Sequence, residues 1–511
     1  MTMARATLLA LLIATLGAMR TSANDAAASC EALSSLALPS VTITLAHAVP
    51  AGDFTLPANG GAAGQTLRNL PAFCRVAATL KPSSDSDIKV EVWLPASNWN
   101  GRFQGVGNGG WAGTISYSAL GAGIAGGYAT ASTDTGHVGG NATFALGHPE
   151  KYVDMGYRAI HEMSAKAKAI IDAYYGSAPK LSLWNGCSQG GRQGITEAER
   201  YPADYDAIIA GAPSIYQMQL NGARIAINLL AHRSADSYIP PAKYSAIHKA
   251  VLDTCDALDG VKDGVIDDPT QCHFDPGVLM CKDPSGDVSA CLLPAEVETA
   301  RAMYAPIKNP KTGAVLSPAL LTPGTELGWA TLAGPQPLDI PVQAFKYVVF
   351  NDPNWDWHRF DASTDVDLGV KADHGVMDLT DPNLTPFFSR GGKLLMYHGW
   401  ADPQVAPLNT VKYFGEVEKA MGKAAIGKSI QLYMVPGMGH CSGGAGPDAF
   451  DKVAAMDQWI AQGQAPDHII ASHRAGGTVD RTRPLCPYGQ LARWKGTGST
   501  DDAANFACVA R

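Results

Sequence analysis

The sequence predicts an α/β fold: a mostly parallel sheet with crossover helices, interrupted by one large insertion. Three observations carry that expectation. Strand-like and helix-like runs alternate through the first part of the chain. A serine bracketed by glycines, Gly186-Cys187-Ser188-Gln189-Gly190, falls where one strand-like run gives way to a helical one. The alternation then stops near Ile215 and resumes after Leu379. Strands alternating with helices imply crossover connections and therefore parallel pairing.

Taken in order, the chain begins with a basic start ending at Arg5 and an apolar run from Ala6 to about Ala18. Small residues follow at Thr21, Ser22 and Ala23. A run this short cannot span a bilayer, which needs ~20 residues. Residues 1–23 are therefore expected to be a secretory signal peptide, and the mature chain to be secreted or periplasmic. No other stretch is long and apolar enough for a membrane helix. Residues 24–214 are expected to form the first part of the α/β core. "KVEVWL" (Lys89–Leu94), "GRFQGVG" (Gly101–Gly107) and "GYATASTDTGH", ending near Asp134, read as strands. Apolar residues at Ile160, Met163, Ala167, Ile170, Ile171 and Tyr174 have helical spacing over Met155–Tyr175. "KLSLW" (Lys180–Trp184) is a strand, followed by the glycine-rich turn and a helix. Residues 215–379 are rich in proline, carry the aromatic run "WDWHRF" and four clustered cysteines, and read as an inserted lid domain. Residues 380–511 complete the core, with strands near Lys393–Tyr397 and Ile430–Val435.

Composition narrows the function classes. Hydrophobic residues make up 46% of the 511 and charged residues 17%, which suits a globular chain with a large core. The formal charge is −8 and no basic stripe appears, which argues against nucleic acid as a partner. Ten cysteines in an exported chain suggest a disulfide framework. None form CxxC pairs, so a zinc ribbon is not expected.

Three pieces of chemistry follow one another along the chain. Gly186 to Gly190 fits G-x-S-x-G. A sharp strand-to-helix turn leaves no room for larger flanking residues, displays the serine hydroxyl, and offers the next backbone N–H to an oxyanion. Asp402, in "YHGWADPQVAP", lies just past one strand. His440, in "PGMGHCSGG", lies just past the next. Read alone, Asp402 is a turn residue before Pro403 and His440 a loop histidine. Together the order Ser188…Asp402…His440 is that of the α/β-hydrolases. His440 would take the serine proton, and Asp402 would fix its tautomer and stabilise the imidazolium. Cys187 precedes Ser188 and Cys441 follows His440. If the serine and histidine meet, these cysteines are brought within disulfide range, Cα atoms ~4.4–6.8 Å apart. A Cys187–Cys441 bridge clamping the two loops is thus expected, rather than a rival thiol nucleophile.

"CS" before a helix, the "D" of "GWADP" and the closing "HC" resemble the CS-D-HC motif of the tannase and feruloyl esterase family. That family includes feruloyl esterases, tannases and mono(2-hydroxyethyl) terephthalate hydrolases. The resemblance covers nearly the whole mature chain. It implies an α/β-hydrolase core with a large inserted lid, serine esterase activity and a structural calcium ion (Ca2+) in the lid. "CDALDGVKDGVIDDPTQC" holds closely spaced acids and bend-permitting glycines. On composition alone it is equally a solvated acidic loop. The resemblance implies calcium ligands Asp256, Asp259, Val261 (carbonyl), Asp263 and Val265 (carbonyl). Cys255 and Cys272 flank this loop and are expected to close it. The resemblance also pairs Cys30 with Cys74, Cys281 with Cys291, and Cys486 with Cys508.

The glycine-rich "QGVGNGGWAG" (Gln104–Gly113) can offer a second oxyanion donor. Gly110 is expected to serve beside Gln189, with Gly109 as the alternative. Weaker signals read more plainly. Asp134 and His137 are expected to make structural hydrogen bonds, and His398 to pack. Trp355, Trp357 and Phe360 are either core or a stacking surface for an aromatic acyl group, Trp355 being the named substrate contact. The expected function is a secreted serine carboxylesterase acting on small esters of aromatic acids, feruloyl and other hydroxycinnamoyl esters foremost. Galloyl esters and terephthalate monoesters are the alternatives. A reading of another class is a catalytically inactive, calcium-dependent binding protein. Neither a nucleic acid nor a membrane partner is expected, and the oligomeric state is not legible.

Overall fold

The computed structural model describes residues 29–57, 64–378 and 381–511. The expected signal peptide (1–23) and the expected boundary at 379/380 lie outside the described residues. Among the described residues, nine strands form one sheet: β1 (Val41–Val49), β2 (Phe73–Leu80), β3 (Ile88–Pro95), β4 (Arg102–Val106), β5 (Ala129–Thr133), β6 (Leu181–Cys187), β7 (Ala207–Gly211), β8 (Lys393–Gly399) and β9 (Ile430–Val435). Across the sheet they run β1-β2-β3-β5-β4-β6-β7-β8-β9. The first three pairings are antiparallel. All pairings from β5–β4 to β8–β9 are parallel.

Burial explains the sequence character of each part. The parallel strands are covered on both faces, so they read as unbroken apolar runs: β7 is "AIIAG", buried throughout, and β8 is buried beyond its first residue. The antiparallel β2 instead alternates buried and half-buried residues along much of its length. Successive side chains serve opposite faces. Trp184 of β6 joins a core with Ile160 and Ile171, while Leu183 joins another with Leu395 and Trp459.

The helices of the described residues include α1 (Tyr117–Ala125), α2 (Ala159–Tyr175), α3 (Gln189–Arg200), α4 (Gln217–Ala231), α5 (Tyr244–Cys255), α6 (Pro407–Met421) and α7 (Lys452–Gln462). The helical spacing recognised over Met155–Tyr175 resolves into a π turn, Asp154–Arg158, and then α2. Gly176 ends α2 at φ 69°, the left-handed cap that glycine adopts at little cost. Between β7 and β8 the chain leaves the sheet. There α4 and α5 pack with Val297, Leu320 and Trp329 in a core of their own. Beyond α7, two hairpins close the chain, Ile469–Ala475 with Thr478–Leu485 and Gln490–Trp494 with Phe506–Ala510.

All ten cysteines are paired as expected: Cys30–Cys74, Cys187–Cys441, Cys255–Cys272, Cys281–Cys291 and Cys486–Cys508. Among the described residues, no helix is long and apolar enough to cross a membrane.

Candidate active site

Ser188 joins β6 to α3 with φ 63° and ψ −122°, a conformation that costs a non-glycine residue about 1–3 kcal/mol and must be held by its surroundings. Its N–H donates to the Gly211 carbonyl at 2.9 Å, tying the turn to β7. The flanking glycines are steric necessities. A Cβ on Gly186 would lie 2.4 Å from the Gly190 carbonyl oxygen, and one on Gly107 would lie 2.5 Å from Gly190 Cα. The loop after β4 thus reaches the first turn of α3.

The loops after β6, β8 and β9 bring the three expected residues together. His440 Nε2 lies 2.8 Å from Ser188 Oγ, and His440 Nδ1 lies 2.7 Å from Asp402 Oδ2. Facing a carboxylate, Nδ1 is the N–H, which leaves Nε2 to accept the serine proton. Asp402 is fully buried, and its Oδ1 accepts the N–H groups of Gln404 at 2.8 Å and Val405 at 3.0 Å. Cys187 and Cys441 bridge the serine and histidine loops with Cα atoms 6.1 Å apart, across a sequence separation of 254.

One neighbour was missed by sequence reasoning. His398, expected to be packing, places Nε2 3.0 Å from Asp402 Oδ2 and 3.1 Å from the Val405 carbonyl. Both are acceptors, so Nε2 carries the proton and donates. Its Nδ1 meets Thr410 Oγ1 at 2.7 Å. Burial opposes a charge on Asp402, yet the hydrogen bonds from His398 and His440 prevail and hold its carboxyl well below the usual range. The buried Arg224 is also near. Its Nε donates to the Gln404 carbonyl at 2.8 Å, and burial lowers its guanidinium to about 10 against the attraction of Asp402.

The glycine-rich loop after β4 is fixed by side chains, two of which, Asn108 and Gln193, sequence reasoning also passed over. Gln193 Oε1 accepts the Asn108 N–H at 3.1 Å, while Gln193 Nε2 donates to Asn108 Oδ1 at 3.2 Å. His137 Nε2 lies 2.8 Å from the Trp111 carbonyl, the structural hydrogen bonding expected of it. Gly110 sits at φ 51°, and a Cβ there would lie 3.2 Å from Ile340 Cδ1 of the insertion. Among the described residues, the backbone N–H groups of Gly109, Gly110 and Gln189 donate to no protein acceptor. The Gln189 side chain is drawn back by Arg192, whose Nε donates to Gln189 Oε1 at 3.1 Å.

The acidic loop is placed differently. Asp256 Oδ1 accepts the N–H groups of Asp263 and Gly264, both at 3.2 Å. Asp259 accepts the N–H of Val261. Asp263 pairs with Arg483 and, at 3.3 Å, with Arg481. Among the described residues, no three Asp, Glu, His or Cys side chains converge as a metal-holding group, and the carbonyls of Val261 and Val265 accept no hydrogen bond. Burial, reinforced by the charges of Asp263 and Asp256, raises Asp259 to about 6. Free carbonyls beside crowded carboxylates are the donor chemistry a hard cation takes. Trp355 is buried in the insertion, stacked on Phe350 at 5.0 Å and on Phe345 at 6.1 Å.

A parallel sheet with a serine, an imidazole and a carboxylate hydrogen-bonded in series beyond its carboxyl edge is the layout of a hydrolytic α/β enzyme. Comparison with known proteins makes the class specific. Residues 74–509 match the family model "Tannase and feruloyl esterase". An uncharacterised esterase of Xanthomonas campestris pv. campestris is 38% identical over 97% of this chain and 94% of its own. A probable feruloyl esterase B-2 of Aspergillus terreus is 32% identical over 97% of this chain and 98% of its own. The crystal structure of feruloyl esterase B from Aspergillus oryzae superposes with a TM-score of 0.88 at 29% identity, covering 94% of this chain and 99% of that one. The chain belongs to the tannase and feruloyl esterase family, and it is a carboxylic ester hydrolase.

Proposed function

We propose that the protein is an exported serine esterase that hydrolyses small esters of aromatic acids, hydroxycinnamoyl esters foremost, through an acyl-enzyme. The observation that carries this reading is the unbroken series Ser188 Oγ–His440 Nε2 and His440 Nδ1–Asp402 Oδ2, assembled from the loops after β6, β8 and β9. His440 removes the hydroxyl proton as Ser188 Oγ attacks the ester carbonyl. The oxyanion is held by the N–H groups of Gln189 and Gly110, which have no protein acceptor of their own. The tetrahedral carbon then expels the alcohol oxygen, which takes the proton from His440. Water, deprotonated by His440, next attacks the acyl-enzyme, and the acid leaves as Ser188 recovers its proton.

Membership of the tannase and feruloyl esterase family supplies the substrate class, and the five disulfides favour an oxidising compartment. The insertion, 215–379, acts as a lid over the centre, supported by the hydrogen bond from Trp111 Nε1 to the Ile340 carbonyl at 3.1 Å. The test compares wild type with Ser188→Ala on methyl ferulate, methyl gallate and a terephthalate monoester. The variant is expected to lose at least about 10³-fold in kcat, in line with loss of a triad nucleophile. Undiminished turnover would remove the nucleophile assignment, and the substrate ranking decides among the three acyl groups.

In this reading the acidic loop takes calcium through Asp256, Asp259, Asp263 and the carbonyls of Val261 and Val265. Bound there, calcium would neutralise crowded carboxylates and stiffen the insertion. Asp263 would have to share its charge with Arg481 and Arg483. Chelation is expected to lower Tm, with recovery on adding calcium but not magnesium. A Tm indifferent to both ions would refute the site.

A further inference from the structure

We infer that the cavity walled by His440 but not by Ser188 seats the alcohol portion of the ester and selects a neutral, hydroxyl-bearing alcohol. The inference rests on the reading of Ser188, His440 and Asp402 as an esterase centre. The cavity measures about 450 Å³, within the range of small-molecule pockets. His440 stands in its wall and Ser188 does not. That asymmetry sets its role. In the first half-reaction the bond between the carbonyl carbon and the alcohol oxygen breaks. The acyl group stays on Ser188 Oγ, while the departing oxygen takes the proton from His440 Nε2. The carbons behind that oxygen therefore leave past the imidazole, into the space His440 walls.

The lining specifies the chemistry. Pro403 and Gln404 come from the loop after β8, Ser442 from the His440 loop, Leu327 from the insertion and His248 from α5. Among the described residues, no lysine, arginine, aspartate or glutamate lines the cavity. A carboxylate on the alcohol would be desolvated there with no cationic side chain to meet it. One polar group is nevertheless held in place. His248 Nδ1 lies 2.7 Å from Glu326 Oε2, and Glu326 is fully buried. The other oxygen of Glu326 is also engaged, by Tyr304 Oη at 2.7 Å and the Gly324 N–H at 2.8 Å. The buried carboxylate thus makes Nδ1 the N–H. This leaves His248 Nε2, without a protein partner among the described residues, as an acceptor for a hydroxyl. Leu327, 60% exposed beside this cavity, offers an apolar contact that the folded chain leaves uncovered.

Three esters of one aromatic acid test this: methyl, glyceryl and carboxyethyl. Wild type is expected to favour the glyceryl ester over the methyl ester in kcat/KM, and over the anionic ester by tenfold or more. His248→Leu should lower kcat/KM for the glyceryl ester about tenfold and leave the methyl ester within twofold. Leu327→Trp, at a position 60% exposed, should do the same by narrowing the cavity. A wild-type preference for the methyl or the anionic ester overturns the inference, as does an unchanged glyceryl-to-methyl ratio in both variants. Failure of the underlying reading is separable, because it would appear as Ser188→Ala turning over all three esters.

Discussion

Asp134 and Asp402 occupy similar positions and ionise in opposite directions. Asp134 directly follows β5 and Asp402 lies just beyond β8, at the same edge of one sheet, and both are buried. Among the described residues, Asp134 accepts two backbone N–H groups, from Lys89 and Gly136, and no side-chain donor. Burial dominates there and raises its carboxyl to about 7. Asp402 accepts two backbone N–H groups and also two imidazoles, and its carboxyl falls well below the usual range. Depth in the protein does not determine whether such an acid is charged. The donors built around it do, and only the aspartate flanked by histidines is equipped to stabilise an imidazolium.

The sharpest way to break the comparison is to give both sites the same neutral side chain. Asp402→Asn is expected to lower kcat by ~10⁴, the loss seen when a triad aspartate can no longer fix the histidine tautomer. Asp134→Asn should leave turnover within about twofold. Equal effects on steady-state kinetics would erase the distinction. A smaller effect should come from His398. A hydrogen bond to a charged group contributes ~1.5–3 kcal/mol, so His398→Leu is expected to reduce kcat by about 10- to 100-fold with KM little changed. Without that donor, Asp402 keeps more charge for His440, and the acid limb of the kcat/KM profile should move to higher pH. His398→Gln, whose amide can restore the donor, should recover much of both. A pH profile unmoved by the leucine variant would make His398 a packing residue after all.

What was legible in the sequence follows from how local each signal is. The G-x-S-x-G turn, the chain order of Ser188, Asp402 and His440, and the cysteines beside them are contiguous words, and the clamp followed from adjacency alone. β7 was not recognised, because a five-residue apolar run has no periodicity to separate strand from buried helix. β1 and β2 are not legible, since their pairing joins separate segments, whereas the first closing hairpin carries a local signal, Gly476-Gly477 between its strands, that could have found it. His398 was read as packing because it stands in an apolar strand, "LLMYHG". Its contact with Asp402 exists only because the chain turns back after Trp400. Asn108 and Gln193 were invisible for the same reason: each matters through a partner 85 positions away.

The smallest expected effect is on stability rather than activity, and it concerns Asp134 alone. Its two N–H donors both reach Oδ1, which leaves Oδ2 to carry a proton. The folded form binds that proton up to about pH 7, against an ordinary value of 3.8. Below 3.8 both folded and unfolded chains are protonated, so the group is neutral to stability. As pH rises toward 7 the unfolded chain releases a proton that the folded chain keeps, so the folded state loses ground. Above 7 the loss is complete. Between pH 5 and pH 8 this amounts to about 2–3 kcal/mol. Asparagine reproduces the protonated acid in shape and in its Oδ1 acceptor, and it does not titrate. Asp134→Asn should therefore show a shallower fall in unfolding free energy over that interval, by about 2–3 kcal/mol, in denaturant titrations at the two pH values. Other acids, the buried Asp378 and the half-buried Glu199 among them, are also raised to about 7, and they contribute equally to both proteins. Parallel curves for wild type and variant would mean that Asp134 is already charged in its pocket, and that two backbone donors suffice to hold a buried carboxylate without an imidazole.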